Sequence, residues 1–550
     1  MKHAQRLALA APLLLFALPL ALALPAALWQ AGDAAAWRAL RADPQLPSTL
    51  WLSLGTGLVS TLLALLACML LVTHLWGTPL WRRVSHALGP MLALPHAAFA
   101  IGLALLVMPA GLLARLLAPL FGWSAPPDWP TVNDPYGVGL TAVLFGKELP
   151  FLLWNAMALL ARPDMAQSLR GWLASGATLG YRPSAVWWRV LWPLLLPRLA
   201  WPLLAVLAYG LTVVDLALIV GPASPPTLAV VAWQALQDGN PARNATGAAA
   251  ALLLGISVAL TAALGALGGR ALWRAVQPAA VNGHRRPLRR HSGWAARALW
   301  LAVLVVYAVV AVLLLASSWV GVWTFPALPP QLWASSAWQQ VQASSDAVWL
   351  SAGLGLAASG TALSLVLIWF EATPLDWDQR AMPLVMAPLV VPPLLLMTGL
   401  YTLALPLRLD GTLVGLAWVH TLVTLPYVFV ALAPAWRSFD RRYEWTALAL
   451  GRSRAAFWWR VKAPLLAAPI AAALAVGFAV SVAQYLPTQF IGAGRHATVT
   501  TEAVTLASGG QRHTAAAFAV LQALLPAIGF GLAAWVGRRQ RTTMSRDAGT

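Results

Sequence analysis

Lys147 and Glu148 interrupt the apolar stretch TAVLFGKELPFLLW, and Asp215 interrupts LTVVDLALIV. Charges are costly in such surroundings, so they default to functional candidates, here for contact with a solute or a gate. Neighbours on a helix point about 100° apart, so Lys147 and Glu148 do not face each other, and Asp215 is the candidate partner of Lys147. The other reading is a structural ion pair between packed helices. His96 and His420 are candidate ligands or proton carriers, or else buried hydrogen-bonding groups, while Met386 and Met397 read as packing. Little else in the chain offers chemistry. Its three lysines are Lys2, Lys147 and Lys462, and none precedes Ser or Thr, so the G-x-x-x-x-G-K-[ST] loop that cradles phosphates is missing. The single cysteine, Cys68, excludes disulfides and thiolate clusters. No carboxylate pair or Ser/His/Asp set marks a water-exposed domain. The expectation is no catalytic residue, no metal and no cofactor held by this chain.

The elements that carry these residues are set by composition. The chain has 550 residues, 60% hydrophobic and 10% charged, too few charges to cover a soluble protein of that size. Apolar runs recur, each long enough to cross about 30 Å of hydrocarbon as a helix. Twelve are placed at 7–30, 47–73, 88–113, 137–160, 193–220, 245–267, 296–318, 346–370, 382–406, 411–435, 464–490 and 514–537. They are apolar on all sides, unlike the alternating strands of a membrane barrel, so strands are not expected. The formal charge of +19 suggests nucleic acid until it is sorted by loop. With the N-terminus in the cytoplasm, 28 of the 36 Lys and Arg fall on the cytoplasmic side, seven outside and Lys147 within a span. That is the positive-inside rule, which predicts cytoplasmic termini and needs no nucleic-acid partner. The densest patch, RRPLRRH (285–291), reads as a solvated linker. The N-terminus has the look of a signal peptide with ALA at 21–23. An uncut first span is the preferred reading, because a repeat supplies it with a counterpart at 296–318.

That repeat is extensive. WLSLGTGL (51–58) returns as WLSAGLGL (349–356), and Pro95 and Gly102 return as Pro392 and Gly399. Gly139, Leu149 and Pro150 return as Gly415, Leu425 and Pro426. AVWWRVLWP (185–193) returns as AFWWRVKAP (456–464), 271 residues on. Two halves of six spans, 1–267 and 296–550, are thus joined by a basic linker, 268–295. Six is even, so both halves lie in the membrane the same way up, a parallel repeat with a natural path between them. The fold class is all-α and polytopic. Lys147, Glu148 and Asp215 correspond to Val423, Thr424 and roughly Gln484, so the charges break the pseudo-symmetry, as an asymmetric solute or gate would require.

The doubled string ends a loop between the fourth and fifth spans of each half, about 161–193 and 436–464. Gly180 and Gly451 break a short helix, and Pro193 and Pro464 open the next span thirteen residues later. The predicted form is a helical hairpin projecting into the cytoplasm. Trp187, Trp188, Trp458 and Trp459 suit a membrane interface in part. The matched glycine-to-proline spacing, with Arg189 and Arg460 inside it, suits a docking element for a partner.

These loops resemble the coupling loop of ABC importer permeases, E-A-A-x(3)-G-x(9)-I-x-L-P. Gly180 and Gly451 match its glycine, Val190 and Val461 its isoleucine, and Pro193 and Pro464 its proline. Ala174-Ser175-Gly176 and Trp445-Thr446-Ala447 hold the E-A-A positions, with Glu444 one residue early. The resemblance is close to fused two-in-one permeases, such as those for thiamine and ferric iron, and nearer still to an uncharacterised branch of them, with LPHAAFAIGLALL and DPYGVGL in the first half. It implies the type I importer fold, an inner-membrane location, a separate ATP-binding cassette ATPase dimer that binds ATP and Mg, and a periplasmic solute-binding protein. Transport by alternating access follows from it, with Lys147, Glu148, Asp215 and Gln484 as candidates for the path. The alternative is a secondary transporter of twelve spans. Such carriers commonly place an Asp between spans two and three, where HLWGTPLWRRVSHALGP (74–90) has no acid. A membrane-embedded enzyme would need clustered polar residues that the scattered acids do not form.

Overall fold

The computed structural model describes residues 9–281 and 293–547. The basic run 285–291 lies outside them. Ten described helices are long and apolar enough to cross a membrane, or up to twelve if two bent pairs each count as one span. The multi-spanning all-α architecture expected from hydropathy is therefore present. A small departure is an antiparallel pair of short strands, Val320–Val322 and Leu332–Trp333, in the loop after the seventh span. Arg115 explains how that loop is held. It is buried, and its guanidinium donates to the carbonyls of Trp323, Thr324 and Ala327 at 2.9, 2.7 and 2.6 Å. It also lies 4.4 Å from the Trp323 ring centre, so the charge is matched by fixed dipoles and an aromatic face.

Several spans are broken where proline or a polar residue interrupts the pattern. The expected span 88–113 is two helices, Pro79–Ala93 and His96–Val107, parted at Leu94 and Pro95. Its counterpart is Leu375–Val390 and Pro393–Ala404, bent by 103° at the Pro392-Pro393 pair. Proline supplies no N–H and its ring excludes the preceding turn, so each helix stops at the same motif. The fifth span of each repeat also breaks: Ala200–Thr212 gives way to Asp215–Val220, and Ala467–Val482 to Leu486–Gly492. The sixth span is one helix, Pro241–Val281, which continues well past its apolar core.

The chain forms two compact units that do not follow the repeat boundary. One comprises Met1–Gln30 with Ala337–Leu506 and Ala517–Thr550; the other comprises Ala31–Ser336 with Ala507–Ala516. Each unit thus contains the first span of the other repeat. A pair of equivalent glycines seats these exchanged spans. A Cβ on Gly399 would lie 1.9 Å from the carbonyl oxygen of Ala23, in the first span of the chain. A Cβ on Gly102 would lie 2.5 Å from Val310 Cγ1, in the span Trp294–Ser317. Lipid tails are as apolar as the helices, so close approach over small residues is what holds such pairs together.

Candidate functional site

The doubled string forms the same local structure twice. In the first repeat the helix Pro163–Thr178 ends at Gly180, with φ of +80°. The Tyr181 N–H donates to the Gly176 carbonyl (2.8 Å) and the Gly180 N–H to that of Ala177 (2.9 Å). In the second, the helix Arg442–Ala449 ends at Gly451, with φ of +75°. Arg452 there donates to Ala447 and Gly451 to Leu448, both at 3.0 Å. These are two copies of the Schellman motif, whose left-handed position glycine adopts without steric cost. Short helices Pro183–Val186 and Arg454–Phe457 follow. The second begins with a Ser453 cap, its hydroxyl accepting from the Ala456 N–H at 3.1 Å.

Each Trp-Trp-Arg-Val segment then widens into a π-helical turn, Trp187–Leu191 and Trp458–Lys462. The prolines account for this: Pro193 and Pro464 have no N–H, and their rings would strike the carbonyls of Arg189 and Arg460 in a regular helix. The wide turn separates the paired tryptophans. Trp187 is buried, its ring centre 5.9 Å from that of Trp76 and 5.8 Å from that of Trp192, while Trp188 is 41% exposed. Trp458 is half-buried and donates to Glu371 Oε1 at 2.9 Å, whereas Trp459 is 70% exposed. The first tryptophan of each pair therefore anchors its hairpin, and the second lies open. Leu179 and Leu450, each just before its glycine, are also exposed. Sequence reasoning passed over these two leucines, although the repeat offset of 271 aligns them. Arg189 lies 5.8 Å from the Tyr181 ring centre, and Arg460 is exposed. Gly176, at the last E-A-A position, lets the two arms of the first hairpin close, since a Cβ there would meet Val186 Cγ2 at 2.4 Å.

The hairpins are fastened differently. Behind the second, Arg437 pairs with Asp378 through two 2.7 Å contacts and donates to the Phe370 and Thr373 carbonyls at 3.1 and 2.9 Å. Lys462 joins Trp458 on Glu371, with its ammonium 2.7 Å from the carboxylate and 4.1 Å from the Trp436 ring centre. In the first repeat, Trp81 and Ala161 stand where Asp378 and Arg437 would. With Trp76 and Trp154 they line a cavity of about 410 Å³. Trp192 donates to Thr73, the counterpart of Glu371, at 2.8 Å.

The buried polar candidates separate into two groups. Lys147 does not reach Asp215: no carboxylate of the described residues lies within 4 Å of its ammonium. It donates instead to the Met91 and Leu94 carbonyls at 3.0 and 2.6 Å, acceptors freed by the helix break before Pro95. Glu148 is buried beside it, and Asp215 begins the helix Asp215–Val220. In the other unit Gln484 donates to the His420 carbonyl and the Thr424 hydroxyl at 3.3 and 3.2 Å. The fully buried His420 ring contacts Ser481 (2.9 Å) and Thr488 (3.0 Å), and His96 packs edge-on against Tyr209. Among the described residues no three His, Cys, Asp or Glu side chains are grouped to hold a metal.

This geometry stands beside a relative that spans nearly the whole length. The chain is 39% identical over 506 residues to the inner membrane ABC transporter permease protein YnjC of Escherichia coli K12, covering 91% of each chain. The chain belongs to the ABC transporter permeases. The permease is also 30% identical over 115 residues to the molybdenum transport system permease protein ModB of Mycobacterium bovis and of Mycobacterium tuberculosis. That match covers 19% of this permease and 44% of ModB. No family model matches the permease, and no solved structure does. Its many apolar helices and the name of its full-length relative make it a multi-pass inner-membrane protein.

Proposed function

We propose that this permease imports a small solute by alternating access, driven by a separate ATP-binding cassette ATPase dimer and fed by a periplasmic solute-binding protein. Both termini and both hairpins face the cytoplasm in this reading, as the distribution of Lys and Arg supports. ATP and Mg are held by the ATPase, and this chain contributes no catalytic group. The observation that carries the reading is the doubled hairpin. Each copy presents an exposed leucine and tryptophan, Leu179 and Trp188 or Leu450 and Trp459, over a packed base. Exposed apolar side chains on a cytoplasmic projection suit a protein groove better than water. Gly180, Arg189, Pro193, Gly451, Arg460 and Pro464 shape that projection.

The buried groups divide between support and path. Lys147 serves the broken third span. Gln484, with its Oε1 unpartnered, and His420 line the polar break of the fifth span in the second repeat. The solutes to test are thiamine, ferric iron, a polyamine and an oxyanion, with molybdenum species included because of the ModB name.

The test is reconstitution of the permease with its co-purified ATPase and binding protein in liposomes. Solute-dependent ATP hydrolysis should fall at least tenfold in Gly180→Val and Gly451→Val, with both variants still inserted and monodisperse. Solute uptake by the permease alone, unaffected by ATP, would favour a secondary transporter.

A further inference from the structure

An apolar chamber of about 340 Å³ opens in the unit that holds the second hairpin. Its volume lies in the range of roughly 300–1,000 Å³ typical of small-ligand sites. One wall is the first span at Pro12, where the π-helical turn Leu13–Ala17 widens the backbone. The others are Leu365 and Trp369 of helix Ser345–Ala372, Leu384 of helix Leu375–Val390, and Phe429. The one ionisable residue in the lining is Arg380. Arg380 is exposed, and no carboxylate of the described residues lies within 4 Å of it. Asp376, one turn earlier, is among those that do not reach it, and Asp378 is engaged by Arg437.

An apolar chamber gives water no partners, and in a bilayer its opening faces acyl chains. A basic residue at such an opening recognises an anionic headgroup. We propose that the chamber is a specific site for an anionic phospholipid, with one acyl chain in the apolar space and the phosphate on Arg380. The wall also connects to the hairpin. Trp369 donates from Nε1 to Asp378 Oδ1 at 2.9 Å, and Asp378 holds Arg437, the last residue of helix Leu413–Arg437 that leads into the second hairpin. A lipid against Trp369 steadies that chain of contacts.

The experiment is native mass spectrometry of the full chain, released from nanodiscs of mixed phosphatidylglycerol and phosphatidylcholine. Wild type should retain one more lipid than Ala381→Trp, whose indole fills the chamber. That lipid should favour phosphatidylglycerol about fivefold, the effect of one basic residue at an anionic surface. Arg380→Gln should keep a lipid and lose the preference, while Arg83→Gln, at the equivalent position of the first repeat, should behave as wild type. Equal retention in wild type and Ala381→Trp, an undiminished phosphatidylglycerol preference in Arg380→Gln, retention without headgroup preference in wild type, or detergent alone in the site would overturn the proposal.

Discussion

At the scale of single residues, the repeated glycines show why spacing was informative. Gly180 and Gly451 adopt φ near +80° and +75°, a region closed to β-branched side chains. Their role was legible because it depends on local backbone alone. Gly176 depends on a neighbour across the hairpin. Replacing it with leucine should force the arms apart at a cost of about 1–3 kcal/mol. Val186→Ala should restore part of that loss in thermal unfolding, and no restoration would mean the two residues do not share the space. Lys147 was legible as costly but not as to its use. The break before Pro95 supplies its acceptors, and such a break follows from the proline only once the third and fourth spans are packed together. Lys147→Met should therefore lower stability by about 1–3 kcal/mol through two orphaned carbonyls. Uptake per folded molecule should persist. A stable Lys147→Met protein without uptake would move the residue to the path.

At the scale of elements, the two hairpins share a surface and differ in their foundations. The second rests on the Arg437–Asp378 pair, largely buried, with side-chain exposures of 15% and 8%. Removing one partner strands a charge, so Asp378→Ala should cost about 3 kcal/mol and loosen the second hairpin. Hydrogen exchange over 437–464 would report it, and unchanged protection would show that the pair is not the anchor. The first hairpin rests on tryptophans beside a cavity, and Trp81 and Ala161 give no hint of that in sequence. The π-helical turns were equally hidden, since tryptophan, arginine and valine read as ordinary helix until the proline further on removes a donor. The third-span glycines lie between these cases. The recurrence of Gly102 and Gly399 seven residues after a proline was visible, but their partners are some 200 and 380 residues away in the chain. Gly399→Leu should expel the first span from its seat and cost about 1–3 kcal/mol.

At the scale of the whole molecule, hydropathy made the multi-spanning all-α architecture legible and repetition made the doubled motifs legible, because both are written in composition and order. The exchange of first spans was not legible. Membrane helices apolar on every side carry no mark of which neighbour they choose, and the choice rests on close packing at one glycine. The exchange predicts that chains divided between 281 and 293 need each other. Fragments 1–281 and 293–550 should co-purify when produced together and should aggregate when produced singly. A single fragment that is monodisperse alone would contradict the exchanged units. The same scale holds the central claim, that an ATPase engages both hairpins from the cytoplasm. Cys68 is buried, so cysteines placed at Ser184 and Ser453 can be labelled against a quiet background. An impermeant maleimide should leave both untouched in intact cells, label both in inverted vesicles, and lose both sites when the ATPase is bound. Labelling of either position in intact cells would contradict the account.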